Sequence, residues 1–252
     1  MKILRPSGNY LKNRARRNLL LAILGAIGSV ILIYSSIPNL PIYIDLGSYD
    51  GVRGGFSIAS LIMGVFYWRQ YKTYKLGYEG EKHGTEHLKS ALPDEYCLIN
   101  DVKLPPYDRG NIDHIVLSPS GIFAIETKNH RGRITCYGDE WIARYRGKNR
   151  GASERQLNFT LGSPSAQARN NAFGVKKIID SLEPLKSKKI WVQGVVVFPN
   201  KYAELKIYEH PDRVKVMRLE ELPKYLINYD EGKQSSPEEL DLIGKEILRQ
   251  AE

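Results

Sequence analysis

The stretch Ile112-Asp-His-Ile-Val-Leu-Ser-Pro-Ser-Gly-Ile-Phe-Ala-Ile-Glu-Thr-Lys-Asn129 decides the fold. Its two arms, Ile112–Leu117 and Ile122–Thr127, are rich in Ile, Val and Phe, residues that suit strands. Between them, Ser118-Pro119-Ser120-Gly121 is turn chemistry. A turn centred on Pro119 and Ser120 sets Ser118 opposite Gly121, and therefore Asp113 opposite Glu126. Directly opposed residues of an antiparallel pair hold their Cβ atoms roughly 4.5–5.5 Å apart. Two carboxylates so placed repel each other. Lys128 stands two residues beyond Glu126 and projects from the same face of its strand.

A divalent cation between the two acids makes sense of this arrangement. Mg²⁺ or Mn²⁺ takes one or two carboxylates and keeps its other positions for water and substrate phosphate. Such a cation lowers the pKa of bound water and stabilises charge developing on a phosphodiester, with Lys128 placed to assist. Glu-x-Lys by itself carries little information, because Glu204 and Lys206 repeat it and Asp101 and Lys103 form its Asp version. The facing acid and the turn raise the signal. On these residues alone, a catalytic metal site and a solvent-facing charged trio both remain open. His114 should point to the opposite face as a structural histidine, whereas Asn129 and His130 fall where substrate would pass.

Working outward, Tyr78–Leu92 reads as a helix and Tyr96–Leu104 as a strand broken by Pro105-Pro106. Arg133–Tyr137 and Trp141–Tyr145 suggest a hairpin turning at Gly138-Asp139, and 146–161 reads as a loop. Ser163-Pro164 opens a helix that runs to about Leu182, with Ser as cap and Pro in the first turn. Ile190–Phe198 is almost wholly apolar, as a strand buried on both faces is. Val214–Met217 suggests another strand, and Leu219–Leu226 and Pro237–Gln250 suggest helices. The order predicts a mixed α/β sandwich.

Several segments together resemble the NERD (nuclease-related) domain, a branch of the PD-(D/E)XK nuclease superfamily. They are Gly77–Glu81, Leu98–Leu104, Asn111–Val116, Gly121–Asn129, Gly132, Trp141 and Ser163–Ala168, in that order. The resemblance spans about Gly77 to Phe198, roughly half the chain. It implies a restriction-endonuclease-like mixed sheet flanked by helices, and action on nucleic acid. It also implies metal binding by Asp113 and Glu126, completed by Lys128. Glu81 matches the first-helix acid that reaches the metal directly or through water, and Gln167 matches the polar helix residue bordering the site. The catalytic set is then Asp113, Glu126, Lys128, Gln167 and Glu81.

The rest of the chain supplies context. With 42% hydrophobic and 26% charged residues, the chain of 252 is not of a disordered class. Its net charge of +9 sits almost wholly in residues 1–76, which hold ten Lys or Arg against two Asp or Glu. Leu19–Ile37 is uncharged and long enough to cross a bilayer. Gly54–Trp68 is a shorter apolar run. Lys12, Arg14, Arg16 and Arg17 precede the first run, and Arg69, Lys72 and Lys75 follow the second. Basic outer flanks place both on the cytoplasmic side of the cell membrane, giving a transmembrane helical hairpin (19–37 and 54–68) with the large domain in the cytoplasm. A cleaved signal peptide and a single span with an interfacial second run are the competing readings. The expected division is an anchor over 1–76, a nuclease-like domain over 77–200, and a strand and helices packing on it over 201–252. Cys97 and Cys136 form no C-x-x-C pair, which excludes a disulfide framework and fits a reducing compartment. Arg131, Arg133, Arg144, Arg146, Lys148 and Arg150, interleaved with Trp141 and Tyr145, form a candidate nucleic-acid patch, with DNA ranked ahead of RNA. The alternative is a catalytically silent nucleic-acid or protein binding module on the same fold.

Overall fold

The computed structural model describes residues 1–6, 8–35, 50–105, 110–147, 155–230, 232 and 234–251, with the side chains of 35, 50–53, 146–147 and 155–160 outside that description. In chain order the elements are β1 (Lys2–Arg5), α1 (Tyr10–Ser35), α2 (Asp50–Ala91), β2 (Cys97–Val102), β3 (Ile112–Ser118), β4 (Gly121–Thr127), β5 (Gly132–Tyr137), β6 (Glu140–Gly147), β7 (Arg155–Thr160), α3 (Pro164–Ser181), β8 (Val192–Phe198), β9 (Ala203–Glu209), β10 (Val214–Arg218), α4 (Leu222–Ile227) and α5 (Pro237–Gln250). They fall into two compact units, Met1–Gly8 with Glu79–Glu252, and Asn9–Tyr78.

The larger unit is the expected mixed α/β fold. A six-stranded sheet runs β1-β2-β3-β4-β8-β10, and a four-stranded sheet runs β7-β6-β5-β9. β3 and β4 are antiparallel with Ser118 on Gly121 and His114 on Ile125. That is the register the Pro119-Ser120 turn predicts. The turn is tightened by Ser118 Oγ, which accepts from Gly121 N at 3.2 Å and donates to Gly121 O at 2.9 Å. Strand alternation then sorts the side chains onto two faces. Ile115, Leu117, Ile122 and Ala124 meet Val175 and Ile179 of α3 and Ile243 of α5. Val116, Phe123 and Ile125 meet Leu88 of α2 and Leu222 and Leu226 of α4 on the other face. β8 is buried at every position, as its continuous apolar run requires. Ser163 caps α3 through Ala166 N at 3.2 Å with Pro164 in the first turn.

Four features differ from the sequence reading. First, 54–68 and 78–92 are parts of one continuous helix, α2. Glycine ends a helix when it takes the left-handed conformation, and no glycine of α2 has a positive φ. Second, 155–160 is strand β7, paired with β6, not loop. Leu157 and Phe159 alternate there with polar neighbours, and the basic residues before them obscure that period. Third, β9 adds to β5 in parallel, with Gly132 on Ala203 and Cys136 on Ile207. Fourth, residues 2–5, within the segment read as anchor, form β1 on the edge of β2. Neither cysteine is in a disulfide.

In the smaller unit one described helix segment, Tyr10–Tyr34, is long and apolar enough to cross a membrane. Its large side chains face outward: Leu20, Leu24 and Val30 are more than 60% exposed, as are Phe56, Ile58 and Ile62 of α2. The buried positions are small or polar. Ser60 Oγ donates to Gly25 O at 2.8 Å, and Ser57 Oγ lies 3.2 Å from Ser29 Oγ. A Cβ on Gly25 would sit 2.9 Å from Gly64 Cα. These pairs run in opposite directions along the two helices.

Candidate active site

The acidic end of the β3–β4 hairpin gathers all five predicted residues. Glu126 is buried, with 2% of its surface exposed, on the face covered by α3. Its Oε1 accepts from Lys128 Nζ at 2.6 Å, so the two side chains share a face as their spacing requires. The same ammonium donates to Gln167 Oε1 at 3.1 Å. One turn further along α3, Asn171 Nδ2 donates to Glu126 Oε2 at 3.4 Å. Asp113 stands at the register opposite Glu126, where its Oδ2 accepts from the Thr127 amide at 2.6 Å.

Close backbone approach makes these contacts possible. A Cβ at Gly194 would come within 3.0 Å of Ala168 O, so β8 and α3 touch where Gln167 leaves the helix. Gly80 and Gly84 lie one turn apart on α2. Side chains there would meet Asn129 Cβ at 2.6 Å and His114 Nε2 at 2.9 Å. The two glycines let the helix settle against the end of β4 and bring Glu81 to the basin. Asp139 and Ser165 anchor the other side. Ser165 Oγ donates to Asp139 at 2.6 Å and accepts from Trp141 Nε1 at 3.0 Å, and Arg169 pairs with Asp139.

The electrostatics are those of crowded acids. Burial pushes the Glu81 carboxyl up to about 9, with Asp113, Asp101 and Glu126 adding to the rise and Lys128 opposing it. Burial also raises Glu126 to about 8, helped by Asp113 and opposed by Lys128. Asp113 is raised to about 6, chiefly by burial and against the Thr127 hydrogen bond. Three carboxyls thus resist ionisation beside a single ammonium. Their donors are all hard oxygens, which fits Mg²⁺ or Mn²⁺ and not a thiolate-seeking metal. Among the described residues, no group of three or more His, Cys, Asp or Glu side chains is arranged so as to hold a metal ion.

The residues around the basin are partly recast. His114 is 1% exposed, with Nδ1 2.7 Å from Asn100 Oδ1, and burial lowers its pKa to about 4. Asn129 Oδ1 accepts from Asn200 Nδ2 at 3.2 Å, and His130 Nδ1 lies 3.1 Å from Tyr145 OH. Trp141 is not a stacking platform. It is 1% exposed and packs against Phe198 with ring centroids 5.8 Å apart, because its alternation on β6 turns it into the core. Arg131 lies over the Tyr145 ring at 5.9 Å, and Arg133 reaches Glu204 at 3.4 Å. Arg144 is half-buried on β6. The Arg146 side chain and all of Lys148 and Arg150 lie outside the described residues. Sequence reasoning missed Asn171, Gly80 and Gly84. Asn171 was findable, standing four residues after Gln167 on the same helical face.

An α/β sheet that sets Asp113 against Glu126-x-Lys128, flanked by a helix acid and a helix glutamine, defines a nuclease-like protein. Residues 76–199 match the model of the nuclease-related domain, NERD. This domain of the chain is thus of the nuclease-related family, which lies in the PD-(D/E)XK-like nuclease superfamily and whose members usually use divalent metals. An uncharacterized protein of Bacillus anthracis is 27% identical over 175 residues, covering 69% of this chain and 76% of that protein. No solved structure matches the chain significantly.

Proposed function

We propose that the protein is a membrane-anchored, divalent-metal-dependent nuclease that hydrolyses phosphodiester bonds at the Glu81–Asp113–Glu126–Lys128–Gln167 site. The observation that carries this reading is the pairing of buried Glu126 with Lys128 at 2.6 Å, beside Asp113 on the neighbouring strand. Asp113, Glu126 and Glu81 would hold Mg²⁺ or Mn²⁺. Such a cation supplies Lewis-acid polarisation of a phosphate oxygen and a water of lowered pKa. Lys128 donates toward the scissile phosphate or the attacking water, and Gln167 fixes the direction of the Lys128 amine. Asn171 holds the second oxygen of Glu126. Arg131, Arg133 and Arg144 lie on the chain directly after this strand and fit phosphate contacts along a nucleic acid, DNA before RNA.

Two membrane crossings, with both ends in the cytoplasm, complete the proposal. Lys2–Arg5 and Glu79–Glu252 belong to one folded unit, so they share one side of any membrane. If α1 crosses, the chain must return before Glu79, and the apolar start of α2 is the segment available. The basic clusters at 12–17 and 69–75 flank the pair on that same side.

The test is incubation of the full chain, in detergent micelles, with single- and double-stranded DNA and RNA and Mn²⁺ or Mg²⁺. Cleavage abolished by chelator and by Asp113→Ala or Lys128→Met is the expected result. Cleavage undiminished in both variants contradicts the site. A second reading, a silent binding module, is favoured by one observation: the Lys128 amine already occupies Glu126 Oε1, at 2.6 Å, where a cation would sit. It predicts salt-sensitive nucleic-acid binding without cleavage under any metal, and unchanged by neutralising Asp113 and Glu126.

A further inference from the structure

The strand that precedes the apolar helix reaches the acidic basin through a short relay. β1 lies parallel on β2, with Lys2 on Cys97, Ile3 on Leu98 and Arg5 on Ile99. Leu4 packs into the core against α5, where a Cβ on Gly244 would lie 2.8 Å from Leu4 Cδ1. The strand ends at Arg5, whose carbonyl accepts from Asn100 Nδ2 at 3.1 Å. Asn100 is fully buried, and its Oδ1 lies 2.7 Å from His114 Nδ1. His114 directly follows Asp113 in the chain.

The neighbouring residue makes a second connection. The β2–β3 pairing sets Asn100 on His114 and Val102 on Ile112, so Asp101 stands at the register of Asp113. Its φ of 51° is left-handed, a conformation that non-glycine residues seldom hold. Asn111 Nδ2 donates to Asp101 Oδ1 at 2.5 Å. The other oxygen, Asp101 Oδ2, fills the space a side chain at Gly8 would need. Its smallness serves the Asp101 carboxylate.

We propose that the arm formed by β1 and Gly8 is a working part of the acidic site, positioning Asn100 and Asp101 and, through them, His114 and Asp113. The inference rests on the metal-site reading given above. Without the arm, buried Asn100 loses an acceptor for its amide, which a buried polar group does not tolerate cheaply. The His114 ring then loses its fixed partner and β3 its hold on Asp113, while Asp101 is free to leave its left-handed conformation. Because the arm runs into α1 at Tyr10, anchor and site share one short segment. The site is competent while that segment is docked and is disabled when it is withdrawn or cut.

The experiment is calorimetric Mn²⁺ titration of the full chain in detergent micelles, well below its unfolding temperature. Deleting residues 2–8 is expected to weaken Mn²⁺ binding roughly tenfold or more, the loss typical when groups behind metal ligands are removed. A peptide of residues 1–8 added in trans should restore it, and a reversed-sequence peptide should not. Gly8→Ala should weaken binding several-fold at a temperature where the variant is still fully folded. A strand that merely stabilised the fold would move the midpoint and spare the affinity. Wild-type affinity in Gly8→Ala and in a folded deletion variant overturns the inference alone. If the deletion variant does not fold, Gly8→Ala decides. A wild-type chain that binds no Mn²⁺ overturns the metal-site reading and this inference with it.

Discussion

Replacing Glu126 with Gln should stabilise the metal-free protein at pH 8, although it removes an ion pair. Glu126 is 2% exposed, and burial first and Asp113 second raise its carboxyl to about 8. The folded chain therefore keeps a proton that the unfolded chain releases near the ordinary Glu value of about 4.3. Between those two pH values the unfolded state binds fewer protons, so wild-type stability falls as pH rises through that window. The full shift would amount to about 5 kcal/mol at roughly 1.4 kcal/mol per pKa unit. Neighbouring acids share it, and the variant forfeits the 2.6 Å ammonium–carboxylate contact, so the expected net gain is about 1–2 kcal/mol. Gln keeps the shape and an oxygen for Lys128 Nζ. Thermal unfolding of the full chain in micelles with chelator should show the variant melting about 2–8 °C higher at pH 8 and converging with wild type near pH 5. Saturating Mn²⁺ should reverse the order, because binding stabilises only the wild type by mass action. A metal-free variant less stable than wild type at pH 8, or a difference independent of pH, would refute the crowding of acids on which the site rests.

Three further outcomes are expected. In a free helix Gly80→Ala would add about 1 kcal/mol of stability. Here its Cβ would lie 2.6 Å from Asn129 Cβ, and overpacking of this kind costs about 1–3 kcal/mol. The melting temperature should fall, and cleavage should slow as Glu81 is pushed from the basin. Arg131→Ala should weaken nucleic-acid binding evenly across sequences and reduce the slope of log affinity against log salt by about one, measured by fluorescence anisotropy. Cysteines placed at Lys12 and Lys72 should both react with an impermeant maleimide from the same side of sealed vesicles, and labelling from opposite sides would rule out two crossings.

Much of the site was legible because it is local. Fourteen residues from Asp113 to Glu126 close on one turn, and alternation fixes the faces, so the register with His114 on Ile125 follows from Pro119 and Ser120 alone. Ser163-Pro164 gives the start of α3, and hence the position of Gln167, by cap chemistry. Long-range pairing left weaker marks. β1 is a four-residue strand some ninety residues from its partner, lying where positive charge leads toward an apolar helix. Nothing in Lys2–Arg5 records that Cys97–Ile99 awaits it. β9 has exposed Glu204, Lys206 and Tyr208 along one side, so its polarity reads as loop until β5 supplies a neighbour. Trp141 misled for a related reason. Its basic neighbours suggest a surface, while its place on β6 turns it toward Phe198.

The central claim is that the acids of neighbouring strands share one cation, and metal titration tests it most directly. Calorimetric titration of the full chain with Mn²⁺ should give one saturable site at neutral pH, with proton release as the raised carboxyls of Glu81 and Glu126 ionise. The same titration of Asp113→Asn should show that site lost or greatly weakened. Equal binding in wild type and Asp113→Asn, or none in wild type, would contradict the account.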